Sequence, residues 1–399
     1  MDNYANAFAE HRAHMLHTTH SERTAGAMSG ASFFGAFECN NGPPPRAVNR
    51  MPTKPSVVRL RSSDADELAQ QIAEWMLEFV QLHPGRFTGS VTLIDLGGLL
   101  IARGAFDQAL LMKVTTPPGC VTIGRPARQS NALLFHGHEI QAGECMTAGS
   151  GADTELVSRG ALFPTTVSIR QNAWEAGWLD ESPLLSVSMK GVKVRTPGPA
   201  WISGYLSSVE WILDAVELYP EVFDRVELRN SLADSLLAQV NAFSSPDSCV
   251  AQDRDTRACR RLAVDRAQEY ISANLTEPMR LSDLCKYART QARSLEYGFQ
   301  EVMGRSPMAY VKTLRLHRIR RLLRSSTVRT RSVSEIALDG GFWHLSQFAL
   351  DYKNLFGESP SITSRRTLAQ LPRDERRRPP AGVEIRRQPR DLTCSNAFG

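Results

Sequence analysis

The 399-residue sequence has no apolar run long enough to cross a bilayer, which takes about 20 residues. Its longest candidate, Leu93 to Ala102, is broken by Asp95, Gly97 and Gly98. The N-terminus lacks a basic segment followed by an apolar core, so no secretory signal is expected. Cysteine is sparse and unpatterned: Cys39, Cys120, Cys145, Cys249, Cys259, Cys285 and Cys394 show no CxxC spacing. That disfavours a disulfide framework or a zinc site and points to reduced thiols in the cytoplasm. No Ser/His/Asp set, phosphate loop or metal-ligand cluster stands out, which counts against an enzyme, and no cofactor is expected. His11, His14, His17 and His20 recur at a spacing of three without a cysteine beside them, and are read as a solvated tail rather than a metal site.

Acidic charge is also scarce at one end. Cys259 to Gln370 carries 19 Lys/Arg against 10 Asp/Glu, and the tail from Leu371 carries 7 Arg against 4 acids. With the whole chain at +5, residues 1–258 are net acidic. A basic module joined to an acidic domain implies that only the C-terminal part meets a polyanion.

Two stretches of that basic part match each other. Val333 to Pro360 reads VSEIALDGGFWHLSQFALDYKNLFGESP. Val333, Ile336 and Ala337 give one apolar helix face; Asp339-Gly340-Gly341-Phe342 breaks the period; Phe348, Tyr352 and Leu355 start a second face that ends at Gly357. Leu281 to Pro307, LSDLCKYARTQARSLEYGFQEVMGRSP, repeats the plan, with Leu295, Phe299 and Val302 answering Phe348, Tyr352 and Leu355. The prolines closing the two copies, Pro307 and Pro360, are 53 residues apart. A duplicated helix, tight turn and second helix is the pattern of paired helix-turn-helix units, each placing its second helix in a major groove.

At these residues the chain resembles the AraC/XylS family of bacterial transcription regulators, over about Leu262 to Leu368. The resemblance implies a long joining helix, here Met308 to Arg324, whose RLHRIRRLL stretch looks like the family's conserved one. It departs at Arg289, where the family usually has glycine, so the first turn is expected to be looser. QLHPGRFTG (Gln81 to Gly89) and GFWHLSQFA (Gly341 to Ala349) look like the ethanolamine-utilisation regulator branch in particular.

Upstream, Asp64 to Val80 has helical spacing at Leu68, Ile72, Trp75, Met76 and Phe79. Short strand-like runs follow: Ser90–Leu96, Leu99–Phe106, Ala109–Thr115, Cys120–Gly124, Leu133–His136, Glu139–Gln141 and Thr154–Val157, with Ala161–Arg170 and Leu184–Val187 as additions. Such runs suit a sandwich or barrel; the resemblance implies a cupin-like barrel that binds an effector. Metal cupins use His-x-His, a Glu three or four residues on, and a distant second His. Here five residues separate His138 from Glu144 and no histidine lies between His138 and His317, so His136-Gly137-His138 is read as a turn. Ala200–Val216 and Phe223–Phe243 read as amphipathic helices that either form a dimer interface or pack on the barrel.

The expected architecture is α+β: a disordered segment at 1–60, with Met51 a second candidate start; a cupin-like effector-binding and dimerisation domain at 61–245; a linker at 246–258; an all-α DNA-binding domain at 259–370, with helix-turn-helix units at 281–303 and 333–356; and a disordered basic tail at 371–399. If Leu295 and Phe299 point inward, Arg293, Tyr297 and Gln300 face DNA, with Glu296 at the flank. Arg293 suits guanine O6/N7, or else phosphate alone; Gln300 suits adenine; Tyr297 suits phosphate or a thymine methyl. Gln291, Ala292 and Ser294 complete the first reading surface. In the second unit the outward set is His344, Leu345, Ser346, Gln347, Leu350 and Lys353, expected to give phosphate contacts from His344, Ser346 and Lys353 and few base contacts. Trp343 is expected to wedge against the first helix of that unit. The reading is a cytoplasmic DNA-binding activator with a small-molecule effector, double-stranded DNA as partner, a homodimer as candidate assembly, no membrane, and RNA polymerase as a partner implied by the resemblance. Its rivals are a sequence-indifferent nucleoid protein and a cupin-type enzyme.

Overall fold

A computed structural model describes residues 56–72, 75–170, 191–218, 225–241, 256–325 and 331–370. The tail histidines, the Leu184–Val187 strand, most of the proposed linker and the basic tail lie outside the described residues.

The N-terminal part is β-rich. β1 (Ser56–Ser62), α1 (Ala65–Gln71), β2 (Met76–Gln81), β3 (Gly89–Asp95), β4 (Leu99–Phe106), β5 (Leu110–Thr115) and β6 (Cys120–Pro126) come first. They are followed by β7 (Leu133–Phe135), β8 (His138–Glu139), β9 (Cys145–Ala148), β10 (Asp153–Ser158), β11 (Pro164–Arg170) and β12 (Val192–Arg195). The strands form a seven-stranded sheet, order β1-β3-β4-β11-β6-β9-β12, and a five-stranded sheet, order β2-β5-β10-β7-β8. Every described pairing is antiparallel. Among the described residues each sheet keeps two edges, so this domain is a pair of open sheets and not the closed barrel that the resemblance implied.

Two further corrections fall here. The helix expected over Asp64 to Val80 is only α1; its Asp64 cap accepts the Glu67 N–H at 3.0 Å, and the chain turns extended from Met76. β1 starts at Ser56, inside the segment expected to be disordered. His136-Gly137 is a two-residue turn between β7 and β8, with φ of 48° and 79°, the mirror-image turn geometry that suits a hairpin.

The inward faces enclose a core of Phe79, Phe87, Leu93, Leu100, Phe106, Met112, Phe135 and Met146. On the outer face of the large sheet, Ile101, Ile123, Val167 and Cys145 pack against α2 (Pro199–Leu218) and α3 (Val226–Asn241) through Trp201, Tyr205, Val209 and Leu236. The amphipathic stripe of these helices is therefore covered within its own domain. Trp211 and Leu218 remain exposed on α2, at 56% and 65%.

The C-terminal part is helical: α4 (Thr256–Ala273), α5 (Leu281–Ala288), α6 (Ala292–Met303), α7 (Pro307–Arg324), α8 (Val333–Asp339), α9 (Leu345–Phe356) and α10 (Pro360–Gln370). Its first unit buries Leu284, Leu295, Phe299, Tyr310 and Val311, and the same cluster continues into Val80, Leu82, Leu111, Leu134 and Val157 on the outer face of the small sheet. The second unit closes on Leu316, Ile319, Ile336, Phe348, Tyr352 and Leu355.

Candidate nucleic-acid interface

Each unit is built by local chemistry that the sequence carries. Ser332 and Glu335 form a reciprocal cap at the start of α8: the Glu335 N–H donates to Ser332 Oγ at 3.2 Å and the Ser332 N–H to Glu335 Oε2 at 2.6 Å. Those bonds hold the Glu335 carboxyl below its ordinary range. At α5 the Arg280 N–H donates to Asp283 Oδ2 at 2.8 Å. Both second helices end on a left-handed glycine, Gly304 (φ 66°) and Gly357 (φ 71°).

The turns inside the two units close alike. Gly341 takes φ 82° in the second and Arg289 takes φ 53° in the first, where the Arg289 N–H donates to Lys286 O and the Thr290 N–H to Cys285 O. The first turn is thus not looser for lacking glycine; Arg289 accepts the strained conformation. A non-glycine residue there costs roughly 1–2 kcal/mol, and glycine also gains freedom on unfolding. Arg289→Gly is therefore expected to raise stability by about 0.5–1 kcal/mol with the DNA site unchanged. Thermal unfolding checks it, and a lower midpoint would show that the arginine side chain matters more than its backbone.

Leu295 and Phe299 are fully buried, and Gln291, Ala292, Arg293, Glu296, Tyr297 and Gln300 are exposed, with Ser294 half-buried. Arg293 lies over the Tyr297 ring, its Cζ 5.6 Å from the centroid. On α9, Phe348, Tyr352 and Leu355 are buried, while His344, Leu345, Ser346, Gln347, Leu350 and Lys353 are exposed. Gln347 is engaged within its helix, donating to Asp351 Oδ1 at 3.2 Å. Trp343 does not wedge against α8. It is 74% exposed, and its neighbour Phe342 packs on Phe348 instead, ring centroids 5.2 Å apart.

No motif in the chain marks what lies behind these helices. The N-terminal domain meets the C-terminal end of each. Arg159, following β10, donates Nη1 to Gln300 O at 3.2 Å and Nη2 to Glu301 O at the end of α6. At the end of α9, the Gly85 N–H in the β2–β3 loop donates to Asn354 O at 3.0 Å, and Gln81 Nε2 at the end of β2 donates to Leu355 O at 2.8 Å. Carbonyls at the end of a helix lack partners in the next turn, although Gln300 O also accepts from the Gly304 N–H at 3.1 Å, and a cation there suits the helix dipole. A Cβ on Gly357 would lie 2.9 Å from Arg86 Cγ, and one on Gly304 2.8 Å from Arg159 Nη1.

Helix α7 carries the rest of the contact. Arg320 Nε lies 2.6 Å from Asp64 Oδ2, and Arg324 reaches the same carboxylate. Arg321 meets Asp66 at 3.2 Å and Glu78 at 2.8 Å. His317 Nε2 lies 3.1 Å from Gln81 O. At α4, Arg261 pairs with Glu155 at 2.7 Å and Gln268 donates to the same carboxylate at 3.0 Å. The net acidic domain thus presents its carboxylates to the basic one from behind and leaves the outward faces of α6 and α9 open.

Two matched helix-turn-helix units with exposed second helices define a DNA-binding domain. Residues 284–378 match a family model described as a helix-turn-helix domain. The XylDLEGF operon transcriptional activator 2 of Pseudomonas putida is 37% identical over 99 residues, 25% of this chain and 63% of that protein. The XylDLEGF operon transcriptional activator of the same species is 39% identical over 101 residues, 25% of this chain and 32% of that protein. Among solved structures, a probable AraC family transcriptional regulator from Rhodopseudomonas palustris CGA009 is 36% identical, with a TM-score of 0.25, over 26% of this chain and 96% of that one. The chain thus spans less than two thirds of the length of these two curated relatives. Residues 284–378 are thus a helix-turn-helix domain, similar in sequence to those of these transcription activators. No described helix is long and apolar enough to cross a membrane.

Proposed function

We propose that the protein is a sequence-specific transcription activator whose β-rich domain senses a small molecule and whose paired units enter successive major grooves about 10 bp apart. The observation that carries this reading is the exposure of Arg293, Tyr297 and Gln300 on α6 beside a second, matched helix. Activation, as opposed to repression, rests on the printed names of the Pseudomonas putida relatives. RNA polymerase and the cytoplasm follow from the same reading. The exposed Trp211 and Leu218 on α2 support a homodimer through that helix. We also infer kinship with ethanolamine-utilisation regulators and cupin domains; QLHPGRFTG, one of the stretches that carries it, supplies the Gln81 and Gly85 contacts to α9.

Selection of bound DNA from a randomised pool tests the proposal. A recovered consensus with two half-sites one helical turn apart is the expected result. Binding with a steep salt dependence and no consensus would favour the nucleoid-type reading. The proposed domain limits give a further expectation: a fragment from Arg257 to Arg373 folds and binds the selected DNA, because Leu284, Leu295, Phe299 and Tyr310 share one cluster within the helices, to which the small sheet adds Val80, Leu111 and Val157. Circular dichroism and gel-shift of that fragment check it; an unfolded fragment would show that the small sheet is needed to complete the core.

A further inference from the structure

Four arginines stand in one transverse row of the seven-stranded sheet. The register pairs Arg59 with Thr92, Thr92 with Arg103, Arg103 with Thr165 and Thr165 with Arg125. Gly124 pairs with Met146, so the next step sets Arg125 beside Cys145, which pairs in turn with Arg195. Side chains alternate along a strand, so the row shares the face of Ile101, Ile123 and Val167, the face covered by α2 and α3.

The row passes from solvent into the interior. Arg59 is exposed, and Arg103 lies 3.9 Å from Glu210 on α2. Arg125 is only 5% exposed. Its Nη2 donates to Ala142 O at 3.0 Å, while Nε and Nη1 are buried with no hydrogen-bond partner among the described residues. A buried guanidinium normally sits against an anion, because an unpaired buried charge is costly.

Among the described residues the neighbouring groups do not supply that anion. Burial lowers the Arg125 pKa, and Arg128 adds to the local positive charge. Cys145 is pushed up to about 12 by burial, against the pull of Arg125 and Arg195, so its thiol is neutral. Glu144 acts on the same thiol, yet its carboxylate is bound to His138 at 2.8 Å and to the Gln141 N–H at 2.9 Å. Tyr205 is fully buried beside this group, stacked on Trp201, and among the described residues its hydroxyl reaches only Ile123 O, at 3.5 Å.

We propose that the Arg125 end of this row, between β6, β9 and α2, binds the carboxylate or phosphate group of a small molecule, with the Arg125 guanidinium and the Tyr205 hydroxyl as donors. The inference deepens the effector-sensing reading, on which it rests, by naming the effector class as a small anion. Charge-assisted bonds from arginine to such groups are among the strongest polar contacts available.

Thermal unfolding of the full chain at fixed ionic strength tests it, with chloride replaced stepwise by acetate, hexanoate or inorganic phosphate, and with hexanamide as the neutral control. A saturable rise of a few degrees is expected with at least one anion, since a ligand that binds only the folded state stabilises it. Hexanamide should give none. Which anion saturates at the lower concentration separates carboxylate from phosphate. The response should vanish in Arg125→Met, which fills the same volume without charge, and persist in Arg103→Met. If Arg125→Met does not fold, Arg125→Lys and Tyr205→Phe should each shift saturation to higher concentration by about tenfold. No response in the unaltered chain, a response that never saturates, an equal response to hexanamide, or an unchanged response in the Arg125 variants would overturn the site. DNA selection on the same protein keeps the two readings apart: a saturable anion response without a consensus sinks the regulator, not the site.

Discussion

Asp64→Ala is expected to destabilise the full chain by about 3 kcal/mol. Asp64 is 2% exposed and holds Arg320, itself 4% exposed, together with Arg324. Removing one member of a buried pair typically costs about 3–5 kcal/mol, because the other charge stays behind without its partner. Arg320 keeps Glu358 at 3.1 Å and the face of Phe356 at 4.4 Å, which places the loss at the lower end. The N–H of Glu67 also loses its cap, a further part of the cost. Chemical denaturation of both proteins gives the value; a loss under about 1 kcal/mol would mean that the two domains do not hold each other through this pair.

The same pair sets a pH dependence. Burial pushes the Asp64 carboxyl up, but Arg320 and Arg324 outweigh it, so its pKa lies below the ordinary carboxylate range. A group with a depressed folded pKa contributes stability that is complete above its unfolded pKa of about 3.9 and fades as pH falls through the folded value. The two-domain protein should therefore lose stability below about pH 4 more steeply than Asp64→Ala does. Equal acid profiles for the two proteins would remove Asp64 from that account.

The second large effect concerns sequence reading. A bidentate arginine–guanine contact is worth roughly 1–3 kcal/mol of discrimination, so Arg293→Ala should weaken the selected site by about that much and relax preference at one base pair. Arg293 rests on Tyr297, its Nη2 3.5 Å from the hydroxyl. DNA must draw it off that ring or bind the two together, so Tyr297→Phe should have a smaller effect of the same kind. Lys353→Ala should instead weaken all sequences nearly alike and lower the salt slope by about one, as loss of a phosphate contact does. Selection from randomised DNA with both variants decides the matter. An unchanged consensus for Arg293→Ala with an altered one for Lys353→Ala would make α9 the reader.

The paired units were legible because the chain writes them twice: inward positions at i, i+4, i+7 and a glycine or proline at each boundary survive any packing detail. The β-rich domain was legible only as a run of strands. Trp75, Met76 and Phe79 fit a helical spacing with Leu68 and Ile72, yet Met76 and Phe79 lie in a strand, in which Phe79 faces the inner core and Val80 the helical domain. A strand covered on both faces loses the alternation that would mark it. β9, Cys145 to Ala148, is four residues and buried throughout, too short for any period to show. Whether the sheets close depends on edge pairing, which no local pattern encodes. Trp343 misled for another reason: a large aromatic at a helix start is usually packed, and here Phe342 has taken that place.

The grip on the two second helices has an evolutionary consequence. Arg159, Gln81 and Gly85 hold α6 and α9 by backbone carbonyls of Gln300, Glu301, Asn354 and Leu355. Such bonds are blind to the side chains of the residues they hold. Positions such as Arg293, Tyr297, Gln300, Leu350 and Lys353 can therefore drift while the β-rich domain keeps its hold. Under the proposed function, descendants of this chain could change which promoter they answer to without reinventing how they listen.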